Sequence, residues 1–551
     1  MPDIVHVGPA PISPLATEHA VRMRDGVRLA TDVYLPGDDD APGDVILIRL
    51  PYDKNGAYTF IPLIAEYFMQ HGYRVVAQDV RGKFRSEGET LLFVNEAHDG
   101  HDTIDWIAQQ DWCNGRVAMW GDSYYGFTQW AAASTNHPAL RAIAPRVTGT
   151  QLGEPVRSVP GERTRAVEWA ITYLYPLTYF HSPDAYFWTL DPARRPFSDQ
   201  VEEVLAQIGS RSISYDQWYP QPVHLRRFPE GHPFQARPVP VLHTIGWWDN
   251  CAPMSWADVA AIEAEPAWAL NHFLRIESMD HEAFYLTDPA VDLVEERTDD
   301  QIRAQLPRML DPTLAFFDVF VRGNGRADDI PRVTWDLAGA DELRESASWP
   351  PAGTSERTLY GMPDGALSLE SAVAETAVSW RHDPADLVPS SAANAFAFLL
   401  ERPDETPIGD RADVLSFSSA PLTRDLDLVG PVRAHARIAS DGPVMDLFVR
   451  LLDVAPDGSS LRIARGQVQL LDATSASAVA VDVGQLGYRI RAGHRLRVHV
   501  SSSDYPEFIP QPGTGEEPWS AVTMRANTQT MTLGGTDPFR ITLSVLEGEP
   551  A

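Results

Sequence analysis

Residues 116–133 set the strongest limit on what this chain can fold into. Arg116-Val117-Ala118-Met119-Trp120 reads as a short buried strand, Gly121-Asp122-Ser123 as a sharp turn, and Tyr124 to Ala133 as a helix with no breaker beyond Gly126. A strand passed through a turn straight into a helix is the building unit of a parallel sheet. The same order presents one side chain for chemistry. A serine on a strained turn, with a helix N-terminus behind it, is the context of a nucleophile elbow. The usual elbow is Gly-x-Ser-x-Gly, and here Gly126 comes one residue late. At this point a glycine-flanked serine in an ordinary turn is a competing reading.

The flanking sequence repeats the strand-helix rhythm. A hairpin is predicted around Asp25-Gly26, from Ala20 to Arg24 and Val27 to Tyr34. Apolar runs follow at Val45 to Leu50, Tyr73 to Ala77 and Leu140 to Ala144, with helix-like stretches at Ile61 to Gln70 and Glu96 to Gln110. Short buried strands alternating with helices predict an α/β fold with a doubly wound, largely parallel sheet. The rhythm breaks at about Val147, and an aromatic stretch holding Trp169, Tyr173, Tyr175, Tyr179, Phe180 and Trp188 takes its place. It reads as a helical cap over a site or as a hydrophobic core of its own, and a cap needs such a core in either case. Strands resume at Val241 to Ile245 and Phe273 to Ile276. After a helix-like Leu314 to Val321, short alternating segments such as Arg495 to Val500, with Asp-Gly turns, predict an all-β sandwich or jelly roll. The expected division is 1–146 with 239–330 for the α/β domain, 147–238 for the cap and 331–551 for the β domain.

Charge and cysteine content narrow the function. A formal charge of −31 without clustered Lys or Arg argues against nucleic acid as a partner. Two cysteines, Cys113 and Cys251, make no disulfide framework and no metal-ligand spacing. Residues 1–14 lack both a basic start and an apolar stretch, so neither a signal peptide nor a membrane partner is expected and the location expected is cytoplasmic.

A serine hydroxyl is a weak nucleophile and needs a base in hydrogen-bond reach, itself oriented by a third group. In a doubly wound sheet these partners sit beyond the carboxyl ends of later strands, in the chain order Ser, acid, His. Asp249 follows the strand Val241 to Ile245, and His281 follows the next. Taken singly, Asp249 reads as a turn or cap residue; joint placement after the elbow favours a triad. His243 lies within a strand and His272 at the wrong end of one. Asp280 adjoins His281 and points away, and Asp122 belongs to the elbow turn. The amide of Tyr124 is one oxyanion donor, and the loop Arg49-Leu50-Pro51-Tyr52-Asp53-Lys54 offers the Tyr52 hydroxyl as a second, a structural tyrosine being the alternative.

The combination of Pro51-Tyr52-Asp53-Lys54, Gln78-Asp79-Val80-Arg81-Gly82, Ser86-Glu87-Gly88, Gly121-x-Ser123-Tyr124-x-Gly126, Gly246-Trp247-Trp248-Asp249 and Asp280-His281 closely resembles the cocaine esterase branch of the Xaa-Pro dipeptidyl-peptidase-like serine hydrolases. The resemblance spans the whole chain, through Ala492-Gly493-His494-Arg495 and Ser501-Ser502-Ser503-Asp504. It implies an α/β-hydrolase sheet, an inserted helical cap and a C-terminal jelly roll. It further implies Ser123, Asp249 and His281 as catalytic residues and Tyr52 with Tyr124 as the oxyanion hole. Related α-amino-acid ester hydrolases carry acidic residues just after the triad aspartate, where this chain has Asn250, Cys251 and Ala252. No acidic anchor for a peptide N-terminus is assigned, and Glu154 and Glu168 are the cap's candidates. The function expected is hydrolysis of a carboxylic ester or amide; a dipeptidyl or aminoacyl peptidase, an acyltransferase and a non-catalytic binding protein are the rivals. No cofactor is required. The partners expected are a small-molecule substrate lying against Trp169 and Trp248 and, as an assembly, a homodimer.

Overall fold

A computed structural model describes residues 3–37, 41–154, 161–220, 223, 225–282, 298–340, 342–391 and 404–547. Parts of the expected cap (155–160, 221–222, 224) and of the expected β domain (392–403) lie outside the described residues.

Among the described residues, ten strands form one sheet in the spatial order Glu342–Ser346, Val333–Leu337, His272–Glu277, Val241–Gly246, Leu140–Arg146, Cys113–Asp122, Gly43–Leu50, Arg74–Asp79, Arg28–Tyr34, Thr17–Arg22. The interior pairs are parallel, and antiparallel strands close both edges. Successive side chains of a strand point to opposite faces, so a continuous apolar run needs a core on each side. Ile46, Ile48 and Leu50 pack with Phe68 of helix Ile61–Gln70 and with Leu306 and Leu310 of helix Asp299–Phe317. Val45 and Leu47 pack on the other side with Ile104, Ile107 and Trp130. Each such side chain contributes roughly 1.5–3 kcal/mol by leaving water.

After Gly43–Leu50 the chain crosses to Arg74–Asp79 on one side, then returns to Cys113–Asp122 on the other. That reversal opens a crevice beyond the carboxyl ends of these strands, where doubly wound sheets bind ligands. Tyr52 and Ser123 sit at those two ends.

The helices Ala170–Tyr179, Phe197–Ile208 and Ile213–Asp216 form a cap. Tyr173, Leu174, Leu177, Val201, Val204 and Tyr215 give it a core, which Ile509 and Trp519 of the C-terminal region complete. Both readings of the aromatic stretch therefore describe it. Among the described residues, sheets of seven and five strands face each other across a shared core. All their strands lie downstream except Thr164–Arg165, which adds to the five-stranded sheet from the expected cap. The shared core continues into Ile276 and Trp335 of the first sheet and Trp247 in the turn after Val241–Gly246.

One boundary differs from expectation. Val333–Leu337 pairs in parallel with His272–Glu277, and Glu342–Ser346 pairs with Val333–Leu337, so the first sheet runs through Ser346 and the β-sandwich starts later than 331. The cause is one-sided burial: Glu342–Ser346 is the edge of the sheet and Val333–Leu337 lies next to it. A strand buried on one face alternates apolar and polar residues just as a sandwich strand does, and the pattern alone does not say which sheet it joins. No helix among the described residues is long and apolar enough to cross a membrane.

Candidate active site

The strand Cys113–Asp122 ends directly on helix Ser123–Ala133, and Ser123 takes the left-handed conformation with φ of 52°. That φ is costly for a residue with a Cβ and persists when its surroundings over-determine it. Gly121 clears the elbow from behind, since a Cβ there would lie 2.1 Å from Cδ2 of Tyr125. The late glycine has its own reason. A Cβ on Gly126 would lie 2.5 Å from Cγ2 of Thr148 and 3.1 Å from the carbonyl oxygen of Arg146, so Gly126 lets the helix press on the neighbouring strand end.

Asp249 lies in the turn after Val241–Gly246 and His281 in the loop after His272–Glu277. The two loops are tied together, with the amide of Trp248 donating to the carbonyl of Met279 at 3.2 Å. His281 Nε2 is 2.9 Å from Ser123 Oγ, and His281 Nδ1 is 2.7 Å from Asp249 Oδ1. The Cys251 amide also donates to Asp249 Oδ1, at 2.9 Å. The structure thus brings the three expected residues into one hydrogen-bonded line. Burial alone would push the His281 imidazole below its ordinary pKa, but Cys251 and Asp249 outweigh it and hold the ring well above that value. Asp122 accepts from Arg146 Nε at 2.8 Å, which ties the elbow to the end of the neighbouring strand Leu140–Arg146 where a bond within the elbow turn was expected, and Asp280 accepts the Glu282 amide at 3.0 Å in its own turn. His243 is buried in its strand beside His272, at 3.4 Å, and burial holds its pKa down at about 4.

The Tyr52 hydroxyl reaches the serine from the loop after Gly43–Leu50. Burial pushes its pKa up to about 12, against hydrogen bonds to Tyr175 and Ser123 that lower it, so the phenol keeps its proton and can donate. Its ring is held edge-on by Tyr58, Tyr125 and Tyr179, and its oxygen lies 2.8 Å from the Tyr175 hydroxyl. The amide of Tyr124 is in the first helical turn, where N–H groups have no intrahelical acceptor. The Tyr124 side chain points the other way. Its hydroxyl donates to Glu96 at 2.8 Å and accepts from the Phe93 amide at 3.0 Å, and Glu96 is paired with Arg49 at 2.9 Å.

A cavity of about 450 Å³ opens over Ser123 and His281, with Tyr58, Trp169, Tyr175, Tyr179 and Trp218 among its walls. Trp169 is placed there as expected, its ring 4.2 Å from that of Phe508. Trp248 is not, which corrects the expectation for that residue. It packs on the β domain, with its indole N–H donating to the Arg462 carbonyl at 3.0 Å, because the turn that aims Asp249 inward aims its predecessor outward. Glu154 reaches the cavity paired with Arg227 at 3.2 Å, whereas Glu168 accepts the Tyr173 hydroxyl at 2.6 Å. Tyr175 lines the cavity as a cap aromatic, whereas sequence reasoning missed Tyr58 and Glu282 on its wall, because nothing in spacing separates a wall residue from one elsewhere in the α/β domain.

Residues 25–274 match the X-Pro dipeptidyl-peptidase (S15 family) model, and residues 324–542 match the X-Pro dipeptidyl-peptidase C-terminal non-catalytic domain. The chain is 30% identical to the cocaine esterase of Rhodococcus sp. (strain MB1 Bresler), across 91% of this chain and 93% of that protein. Its fold is similar to an aminopeptidase from a marine sediment Thaumarchaeota archaeon, with a TM-score of 0.80 at 21% identity over 98% of both chains. It is also similar to an α-amino acid ester hydrolase, with a TM-score of 0.78 at 23% identity over 97% of this chain and 98% of the other.

Proposed function

The chain belongs to the X-Pro dipeptidyl-peptidase (S15) family of serine hydrolases, in its cocaine esterase branch, and from that membership we propose that Ser123, His281 and Asp249 transfer the acyl group of a carboxylic ester to water. The observation that carries the reading is the unbroken line from Ser123 Oγ to His281 Nε2 at 2.9 Å and from His281 Nδ1 to Asp249 Oδ1 at 2.7 Å. Neutral His281 takes the serine proton as Oγ attacks the carbonyl carbon, and Asp249 stabilises the imidazolium that forms. The Tyr52 phenol and the Tyr124 amide receive the charge on the tetrahedral oxygen. His281 then protonates the leaving alcohol, and the acyl-enzyme is hydrolysed when the same imidazole takes a proton from water.

The cavity size fits a small organic ester, and its aromatic walls favour an apolar or aromatic acyl group. An amide is the second substrate class for the same residues. The acidic surface speaks against nucleic acid. Both cysteines are buried and free, which suits the reducing cytoplasm we assign.

The test is labelling with a fluorophosphonate probe, followed by an ester, dipeptide-amide and acyl-acceptor panel. Wild type should label and turn over esters, and Ser123→Ala should do neither. Labelling that survives in the alanine variant would refute the assignment, and turnover restricted to dipeptide amides with a free amino terminus would move it to a peptidase.

A further inference from the structure

Cys251 takes no part in acyl transfer, yet its thiol lies against the base. It is 1% exposed, in the turn two residues after Asp249, and the Asn250 side-chain amide donates to its Sγ at 3.7 Å. One carboxylate oxygen of Asp249, the Sγ of Cys251 and one ring nitrogen of His281 all lie within 4.8 Å of one another. A second observation, independent of the thiol, points to a cation at this spot. Asp249 uses Oδ1 for both His281 and the Cys251 amide, while its Oδ2 is buried without a hydrogen-bond partner among the described residues. A carboxylate oxygen removed from water and given no donor is a strong acceptor for a positive ligand.

Thiolate, imidazole and carboxylate together form the donor set of a three-ligand zinc site with one open position. The set selects a borderline-soft divalent ion over magnesium or calcium, which take oxygen ligands. Tetrahedral bonds to zinc place neighbouring ligand atoms roughly 3.5 Å apart. The trio therefore needs to contract by roughly an ångström along its longest edge, a shift within reach of side-chain rotation.

We propose that Asp249, Cys251 and His281 form an inhibitory site for Zn²⁺ that reversibly shuts off the hydrolase. The inference rests on the reading of His281 as the catalytic base. On binding, the ion sheds water ligands, the Cys251 thiol releases its proton to solvent, and the imidazole nitrogen gives its lone pair to the metal. No oxidation state changes and no covalent bond in the substrate is involved. The ion holds the carboxylate and the imidazole that the proton relay requires, so acyl transfer stops until a chelator removes it.

The experiment compares full-length wild type, Cys251→Ser and Cys251→Ala. Zn²⁺ is titrated by calorimetry and against ester turnover, each variant being referred to its own metal-free rate, and Co²⁺ is titrated by absorption. Wild type should bind one Zn²⁺ per chain, lose turnover, regain it with EDTA and show a thiolate-to-cobalt band. In both variants the band should vanish and the concentration for half-inhibition should rise about a hundredfold or more. Equal inhibition of wild type and variants, or cobalt binding without a thiolate band, would overturn the proposal. Calorimetry and the cobalt spectrum read binding without catalysis. A chain with no esterase activity would therefore refute the hydrolase reading while the zinc result stayed independently decided.

Discussion

Replacing Tyr52 by Phe deletes one oxygen atom and leaves the ring. Tyr58, Tyr125 and Tyr179 hold that ring edge-on from several sides, so the phenyl group has no room to swing away. The deletion removes one side of the 2.8 Å contact with the Tyr175 hydroxyl. A neutral hydrogen bond of that kind contributes about 1 kcal/mol net to stability, so the melting temperature should move by only a few degrees. The effect on catalysis should be much larger. A preorganised donor aimed at the developing oxyanion contributes about 3–4 kcal/mol in a site closed to water, which corresponds to a loss of about a hundredfold to a thousandfold in kcat. KM should change little, because the donor acts on charge that exists only in the transition state. Steady-state kinetics on one chromogenic ester, with thermal unfolding measured in parallel, separates the two effects. Tyr175→Phe is the control, since it removes the hydroxyl next to the donor and keeps the donor itself. An unchanged kcat in Tyr52→Phe would remove this hydroxyl from the mechanism, and an equal loss in Tyr175→Phe would transfer the role to the cap.

Two further outcomes follow from the same geometry. Because Cys251 and Asp249 hold the His281 imidazole above its ordinary pKa, the ring is protonated and unable to accept the serine proton at low pH, and kcat/KM should rise as pH climbs through that raised value. The midpoint of the ascending limb should lie above about 6.5, and one at or below it would contradict the arrangement. Stability runs in the opposite direction: a raised folded-state pKa adds stability that is fully present below the unfolded value and is lost as pH rises through the folded one. Gly126→Ala should destabilise by about 1–3 kcal/mol, since its Cβ would lie 2.5 Å from Thr148, and a denaturation midpoint equal to wild type would show that the strand end yields freely.

The sheet and the three catalytic candidates were legible in the sequence because each leaves a local signature. Val45 to Leu50 is apolar at every interior position but Arg49, a pattern that only a strand covered on both faces requires, and Ser123, Asp249 and His281 each follow such a strand. Arg49 explains its own exception by pairing with buried Glu96 at 2.9 Å. What sequence could not supply is direction. Trp169 and Trp248 look alike as aromatic residues near the site, but Trp169 faces the cavity and Trp248 donates to a β-domain carbonyl. The strand Val333–Leu337 was misassigned for a related reason, because its alternation specifies one buried face without naming the sheet that covers it.

The tyrosines around the serine show why such ambiguity is greatest at the site itself. Tyr52 and Tyr124 are both buried and both hydrogen-bonded through their hydroxyls, and burial raises the pKa of each. By composition and burial they are equivalent. They differ in where the backbone enters the crevice. Tyr52 leaves a sheet strand at its carboxyl end and brings its hydroxyl toward Ser123. Tyr124 lies one residue past the elbow, so its amide is in the first helical turn, without an intrahelical acceptor, and its side chain goes into the core against Glu96 and Phe93. The prediction for Tyr124→Phe is therefore the reverse of that for Tyr52→Phe. Its amide is kept, so kcat should stay within a few-fold of wild type, whereas the buried Glu96 carboxylate loses a donor at a cost of about 1–3 kcal/mol in stability. A fall in kcat comparable to that of Tyr52→Phe, at unchanged stability, would show that the side chain rather than the amide serves the oxyanion.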